Sequence, residues 1–123
     1  MVVAIFKDSM NQQIHSTCQN FNQFVLQINS LEDLNEYTNG EVIFCVDHQC
    51  IDELKAEDVK EIDTFEHSTT DVYVFGPNFS LMTPSIKAFK HPYRLLTIRS
   101  GKTLWTESAL AIILYDKWIK EVR

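Results

Sequence analysis

Short runs of apolar residues alternate along the chain with longer segments in which apolar residues recur at helical spacing. The runs are rich in β-branched and aromatic residues and predict five buried strands, Val2–Phe6, Phe24–Ile28, Glu41–Val46, Val72–Phe75 and Leu95–Ile98. Strands that alternate with helices in this way form a mostly parallel sheet with helices on both faces. We therefore expect a single α/β domain over residues 1–123, with ligands bound beyond the carboxyl ends of its strands.

The segments between the strands predict helices of different lengths. Asn11–Phe21 and Ile51–Phe65 are amphipathic, the second over one or two turns. Ser30 starts another helix, because an acidic residue follows three positions later in a variant of the capping box. Thr83 and Pro84 open a short helix, since proline at the first helical position loses no hydrogen bond.

The last predicted helix, Leu104–Val122, is apolar on almost every side between Ala109 and Tyr115. A helix that covers a sheet with one face normally shows a single apolar stripe. A second subunit is the favoured source of the additional cover, and deep burial inside one protomer is the alternative. The residues expected at the interface of this homodimer are Ala109, Ile112, Ile113 and Tyr115.

The composition limits the possible partners. The formal net charge is −6 at pH 7 and the isoelectric point about 5.1, so the surface as a whole does not attract nucleic acid. No apolar run is long enough to span a membrane, and the N-terminal run lacks the features of a signal peptide. With three cysteines that are expected to be reduced, a cytoplasmic location without membrane contact is predicted. RNA would need a local basic patch, for which the candidates are Lys87, Lys90, Arg94 and Lys102.

Two short motifs point to chemistry that the rest of the chain does not support. The segment SGKT at 100–103 has the end of a phosphate-binding loop, but Leu96 stands where that loop needs its first glycine. Cys45, His48 and Cys50 offer three metal ligands, but their spacing fits no common zinc site. Core cysteines with one loop histidine are the favoured interpretation, and no metal is expected.

Two strand–loop segments resemble motifs of a known superfamily. The segment YVFGPN at 73–78 is a strand that ends in a Gly-Pro turn, and Leu96–Asp116 is a strand, a polar loop and an apolar helix ending in Leu-Tyr-Asp. These segments and the order of elements resemble the SPOUT superfamily, in particular the SpoU/TrmH-type RNA 2′-O-ribose methyltransferases. Thr17–Phe21 in the first helix is similar to a third motif of that family.

The resemblance implies a C-terminal trefoil knot, binding of S-adenosyl-L-methionine and methylation of ribose in tRNA or rRNA. It also implies dimerisation through the first and last helices. Cofactor contacts in this family are mainly made by backbone groups. The residues that the resemblance places around the cofactor are Phe75, Gly76, Pro77, Ile98, Gly101 and Leu104.

The chain departs from the family at positions that carry chemistry. The family's activating arginine falls on Ser16, the glutamate of its Gly-Pro-Glu turn on Asn78, and the proline after its fifth strand on Arg99. These three are the candidates for a catalytic role, which needs a group that binds or deprotonates a poorly acidic hydroxyl. Trp105 replaces an asparagine and is expected to fill space in the packing, with a base-stacking platform as the alternative.

Three interpretations therefore stay open. The first is a working S-adenosyl-L-methionine-dependent RNA methyltransferase with a divergent active site. The second is a SPOUT-like domain without catalysis, acting as a binding or assembly subunit with itself or with an active relative. The third is an unrelated flavodoxin- or receiver-like domain. Asp47 would then end the third strand, although Asp8 alone does not provide the acidic pair that a receiver needs.

Overall fold

The computed structural model describes residues 1–37, 41–77, 82–100 and 102–122 as a parallel sheet covered by helices on both faces. The strands are β1 (Val2–Phe6), β2 (Phe24–Ile28), β3 (Val42–Cys45), β4 (Val59–Glu61), β5 (Val72–Phe75) and β6 (Tyr93–Thr97). The helices are α1 (Gln12–Asn20), α2 (His48–Leu54), α3 (Thr83–Ala88) and α4 (Thr106–Glu121). Short 3-10 helices occupy Lys7–Ser9, Leu31–Tyr37 and Ile62–Thr64.

The strand order is β2-β1-β5-β3-β6-β4, and each neighbouring pair is parallel. The predicted α/β class is confirmed. Three predicted strands, which correspond to β1, β2 and β5, have the bounds expected from the sequence. The predicted number of five strands is wrong, since the described residues form six. All six point the same way, so their carboxyl ends lie along one edge of the sheet.

The additional strand is β4, which lies at the edge of the sheet. Its residues belong to a segment for which the sequence predicts helical turns. The helix α2 stops before it because Lys55 takes the left-handed conformation, with φ 53°. The chain then pairs with β6, with Val59 opposite Leu95. Backbone hydrogen bonds to β6, more than burial, hold this three-residue strand, so its sequence shows only a weak alternating pattern.

The segment after Ser30 is a 3-10 helix where an α-helix is predicted. The capping interaction itself forms, since Oδ2 of Asp33 accepts hydrogen bonds from the backbone N–H of Asn29 at 2.8 Å and of Ser30 at 3.3 Å. Leu31 and Leu34 are both buried. A spacing of three residues places them on the same side of a 3-10 helix, so this helix type buries both.

Two apolar layers hold the helices on the sheet. On one face, Ile14 of α1 and Leu110 of α4 pack with residues of β1, β3, β5 and β6. On the other face, Leu34, Cys50 and Ile86 belong to a second cluster. Because the inner strands are covered on both sides, their side chains are apolar at nearly every position.

The helix α4 divides into a buried and an exposed apolar side. Leu110, Ile113 and Leu114 are buried within the protomer, so Ile113 is a core residue and does not lie at the predicted interface. Ala109 is partly buried and packs against the same core. The helix α4 is thus apolar on nearly all sides because one side is buried in the protomer and another side forms an exposed apolar stripe. The residues of this stripe are Ile112, Tyr115, Trp118 and Val122, which are 39%, 54%, 48% and 59% exposed.

Candidate functional site

Three loops that follow neighbouring strands surround a cavity of about 550 Å³. The strands β5, β3 and β6 are adjacent in the sheet, so the loops after their carboxyl ends meet at the same edge. The walls include Val46, Phe75 and Leu96 from the ends of the strands. Polar residues of the lining come from the loops and from the first positions of α2 and α4, and they are Asp47, His48, Ser100, Lys102, Thr103 and Thr106.

Asp47 ties two of these loops together. Its Oδ1 accepts a hydrogen bond from the backbone N–H of Cys50 at 2.9 Å and so caps the N-terminus of α2. Its Oδ2 accepts a hydrogen bond from Oγ1 of Thr103 at 3.2 Å, which belongs to the loop after β6. One carboxylate therefore fixes the loop after β3 against the loop after β6.

A second tie connects the start of α4 to the turn after β5. Oγ1 of Thr106 donates a hydrogen bond to the carbonyl oxygen of Gly76 at 2.8 Å. A Cβ added at Gly76 would lie 3.5–3.7 Å from atoms of Met82, which is ordinary contact, and Gly76 has no positive φ. The fold itself therefore has room for a methyl group at this position of the cavity wall.

The predicted cofactor residues gather around this cavity. Its lining includes Phe75, Gly76, Pro77, Ile98 and Leu104, five of the six residues named from the sequence. The sixth, Gly101, lies outside the described residues. These five come from two loops that are more than twenty residues apart in sequence, so the fold brings them together. Their contact with a cofactor stays a prediction.

The catalytic candidates do not gather there. Ser16 lies on α1, where its Oγ is 3.4 Å from Nε2 of Gln12, and does not line the cavity. Arg99 is not among the described lining residues either, and its Nε donates to Oε1 of Glu61 on β4 at 3.1 Å. Asn78 lies outside the described residues. The geometry thus brings neither described candidate to the cavity.

The basic candidates are spread over the molecule. Lys102 is exposed and lines the cavity. Lys87 on α3 and Lys90 just after it are exposed on the side of the sheet that α3 covers, away from the cavity lining. Arg94 is ion-paired with Glu41 at 3.3 Å, and its guanidinium lies 4.7 Å from the centre of the Phe65 ring.

Sequence reasoning missed the role of Asp47 in this site and misjudged Trp105. The signal for Asp47 was its place directly after the third strand, at the edge where ligands bind. Trp105 is 56% exposed and lines the cavity, so the expectation that it fills space in the packing is wrong.

The cysteines carry no reactive thiolate. Burial raises the pKa of Cys18 to about 11 and also raises the pKa values of Cys45 and Cys50, so all three thiols are protonated at neutral pH. Oγ1 of Thr83 donates to Sγ of Cys50 at 3.3 Å. In the part of the chain that the structure describes, no three His, Cys, Asp or Glu side chains are grouped so that they could hold a metal ion.

A second polar cluster lies near the C-terminal end of α4. Nε2 of His67 donates to Oδ2 of Asp116 at 2.6 Å, while its Nδ1 is 2.5 Å from the hydroxyl of Tyr73. Nζ of Lys120 reaches the same carboxylate oxygen at 2.8 Å and the carbonyl oxygen of Phe65 at 2.8 Å. Burial lowers the pKa of His67, although its bond to Asp116 opposes this, so we assign a neutral ring that accepts from Tyr73. We call His67, Tyr73, Asp116 and Lys120 the His67 network.

A second cavity of about 520 Å³ adjoins the first, and both are lined by Pro77 and Met82. It lies beyond the ends of β1 and β2, where Lys7, Asp8 and Asn29 contribute polar groups. Its lining includes none of the residues predicted from the sequence except Pro77. It is therefore a separate opening at the same edge of the sheet.

The chain is similar in structure to a crystal structure described as that of a "putative RNA methyltransferase from Bacillus anthracis". The TM-score is 0.66, the sequence identity is 13%, and the match covers 98% of this chain and 94% of that one. At this identity the likeness establishes a shared α/β fold. No protein-family model and no curated protein matches the chain. Among the described residues, no helix is both long and apolar enough to cross a membrane.

Proposed function

We propose that the protein binds S-adenosyl-L-methionine in the cavity beyond β3, β5 and β6 and methylates ribose 2′-hydroxyls of tRNA or rRNA, as a SpoU/TrmH-type member of the SPOUT superfamily. The observation that carries this proposal is the convergence of Phe75, Gly76, Pro77, Ile98 and Leu104 on one cavity. The motifs of the sequence alone point to these five residues. The shared fold with a described RNA methyltransferase adds support.

The cavity fits such a cofactor in size and chemistry. Its volume of about 550 Å³ is in the range of small-molecule sites, which combine apolar walls with a few polar groups. Leu96, Ile98 and Leu104 offer apolar walls for an adenine ring, and Asp47 is the acidic side chain of the described lining. When bound, the cofactor supplies a methyl group on a positively charged sulfur, a charge that a carboxylate and backbone carbonyls favour.

The trefoil knot belongs to the same proposal. In the sheet, β6 lies on one side of β3. From the end of β6 the chain runs to α4, which packs with α1 on the other side of β3. On the way it meets the turn after β5, where Thr106 bonds to Gly76. This contact between the start of α4 and the turn after β5 supports a threaded C-terminal segment.

Calorimetry with S-adenosyl-L-methionine and with S-adenosylhomocysteine tests the cofactor site. We expect binding to the wild type and at least a tenfold loss of affinity in Gly76→Val, because its side chain enters the wall of the cavity. Ala88→Val adds similar bulk at an exposed position on α3 and should bind as the wild type does. Absence of binding heat and of a thermal shift in the wild type would refute the proposal.

A second candidate function is a cofactor-binding assembly subunit without catalysis. The observation that favours it is the ion pair of Arg99 with Glu61. This pair holds one of the cations that could have replaced the family's arginine away from the cavity. A methyl-transfer assay with radiolabelled cofactor and unfractionated tRNA or rRNA distinguishes the two. Cofactor binding without transfer supports the subunit, and transfer supports the enzyme.

We also propose a homodimer through the exposed stripe of α4. Its four residues lie along one side of the helix, and the rings of Tyr115 and Trp118 are 6.0 Å apart. Sedimentation should show a wild-type dimer and a folded Trp118→Asp monomer. Phe24→Asp, at an apolar residue on β2 that is more exposed than Trp118, should remain a dimer. A monomeric wild type would contradict this interface.

A further inference from the structure

Two basic side chains of the cavity lining are exposed. His48 is the first residue of α2, Lys102 belongs to the loop after β6, and both line the cavity. In the part of the chain that the structure describes, neither side chain makes a hydrogen bond or an ion pair, whereas Arg94 and Arg99 are paired with glutamates. An ammonium group and an imidazole N–H therefore remain as donors for a ligand inside the cavity.

A hydrogen bond between two loops brings these side chains to the same part of the wall. Oγ1 of Thr103 donates to Oδ2 of Asp47 at 3.2 Å. Along the chain, His48 follows Asp47 and Lys102 precedes Thr103, so each lies next to one end of this bond. Because the carboxylate of Asp47 also accepts from the backbone N–H of Cys50 at 2.9 Å, the arrangement is fixed before a ligand binds.

The charges of this wall fit a zwitterion better than a simple anion. Lys102 carries a positive charge, whereas Asp47 is a partly buried carboxylate that keeps lone pairs beyond the two bonds it accepts. A phosphate beside Lys102 would be repelled by Asp47, because it carries only negative charge. An α-amino acid group has a carboxylate and an ammonium on the same carbon atom, so each finds a partner of opposite charge.

Resting on the proposed function, we propose that Lys102 and His48 bind the carboxylate in the methionine part of S-adenosyl-L-methionine, and that Asp47 pairs with its ammonium group. The family resemblance implies cofactor contacts made mainly by backbone groups. These three side chains are therefore determinants of ligand specificity that belong to this chain. With them, the cavity distinguishes a nucleoside that carries a complete amino-acid group from one that lacks the carboxylate.

Calorimetry with two ligands that differ in this carboxylate alone tests the assignment. Decarboxylated S-adenosylmethionine keeps the adenosine, the sulfonium and the amine. We expect the wild type to bind S-adenosyl-L-methionine about tenfold tighter than the decarboxylated form, because charge-assisted hydrogen bonds are the stronger ones. Equal affinities, or tighter binding of the decarboxylated form, would overturn the assignment.

Variants then locate the contact. Lys102→Ala should weaken binding of S-adenosyl-L-methionine about tenfold and leave the decarboxylated form nearly unchanged, so that the preference disappears. His48→Ala should reduce the preference by a smaller factor, and His48→Gln should keep most of it because glutamine retains an N–H donor. Lys87→Ala removes the same charge from an exposed position on α3, away from the described cavity lining, and should keep the full preference. Equal losses for both ligands in Lys102→Ala would contradict a carboxylate contact.

A phosphate is the competing ligand for these two donors, and adenosine 5′-monophosphate is the probe for it. Because of Asp47, we expect the wild type to bind the monophosphate and adenosine with affinities within about threefold of each other. A larger preference for the monophosphate that is lost in Lys102→Ala would assign the two side chains to a phosphate. That result would overturn the amino-acid assignment.

The outcomes separate this inference from the proposed function. A wild type that binds both forms of the cofactor equally well overturns the carboxylate contact and leaves the cofactor site in place. A wild type that binds neither form refutes the proposed function and this inference together. Circular dichroism on each variant checks that the exposed substitutions leave the fold intact.

Discussion

The two ends of α4 both carry polar side chains, but they use them differently. At its start, Thr106 and the neighbouring loops border an open cavity, in which Lys102 and Thr103 are exposed. Near its end, Asp116 and Lys120 join the buried His67 in a network whose partners all belong to the chain. Among the described residues, no buried side-chain nitrogen or oxygen lacks a hydrogen-bond partner.

This difference separates polar residues that stabilise the fold from polar residues that are open to a ligand. In the His67 network, the bonds of His67 to Asp116 and of Lys120 to Phe65 hold α4 to the segment before β5, so the network stabilises the fold. In the cavity, Asp47 and the lining hydroxyl groups are bonded within the protein, whereas the side chains of His48 and Lys102 are exposed at its wall. We therefore expect substitutions at one end to change mainly stability and substitutions at the other to change mainly binding.

The largest effect should come from the middle of α4, which connects both ends. Ile113 is fully buried, so Ile113→Asp places a carboxylate in the apolar core and should destabilise the protein by more than about 4 kcal/mol. Ile112→Asp is the control on the same turn and should stay folded because Ile112 is 39% exposed. Urea unfolding followed by circular dichroism measures both, and a folded Ile113→Asp protein would contradict the assignment of the two sides.

The next effect concerns the His67 network alone. Asp116→Ala removes the acceptor of both His67 and Lys120, which leaves a buried N–H without a partner. We expect a loss of about 2–4 kcal/mol in the free energy of unfolding, with unchanged cofactor affinity. Glu61→Ala, which breaks the exposed pair with Arg99, should cost less than about 1 kcal/mol. A loss of cofactor binding in folded Asp116→Ala would show that the two ends are coupled.

The reverse result is expected at the cavity. Asp47→Ala removes a helix cap and should cost about 1 kcal/mol of stability. It also releases Thr103, so the affinity for S-adenosyl-L-methionine should fall roughly tenfold. Asp33→Ala removes a similar local bond in the 3-10 helix and should reduce stability without changing affinity. Equal affinities of the two variants would show that Asp47 acts only as a cap.

The sequence predicts those parts of the fold that depend on local burial. Strands such as β5 are continuous apolar runs, and the rule that ligands bind at carboxyl ends leads to the correct edge of the sheet. The strand β4 is not predicted because it has only three residues, including an exposed Lys60, and so shows almost no alternation of apolar and polar positions. Periodicity also does not tell which apolar side of α4 meets the core, so the interface predicted from sequence includes the buried Ile113.

The cavity and the His67 network also differ in how far the sequence predicts them. Gly76 and Ile98 stand in motifs that are readable along the chain, so the cavity could be assembled from sequence. The His67 network joins residues up to 53 positions apart, as from His67 to Lys120, and its central residue, His67, stands in no motif. Only the packing of α4 against the segment before β5 brings them together, which is a tertiary property.

The smallest expected effect is a pH dependence from His67. Burial lowers its pKa in the folded state below the ordinary value of 6.5, so the unfolded chain binds a proton first as the pH falls. Above pH 6.5 both states are neutral at this residue and nothing is lost. Below pH 6.5 the unfolded state gains a proton that the folded state does not, so stability decreases until the folded pKa is reached.

His67→Gln isolates this contribution, because glutamine offers an N–H to Asp116 but does not titrate. The other three histidines are present in both proteins and cancel in the comparison. Urea unfolding between pH 7.5 and pH 5 should show the wild type losing more stability than His67→Gln, by less than the loss caused by Asp116→Ala. Parallel profiles would mean that the His67 ring takes up its proton as easily in the fold as in water. The His67 network would then be open to solvent, like the cavity at the other end of α4.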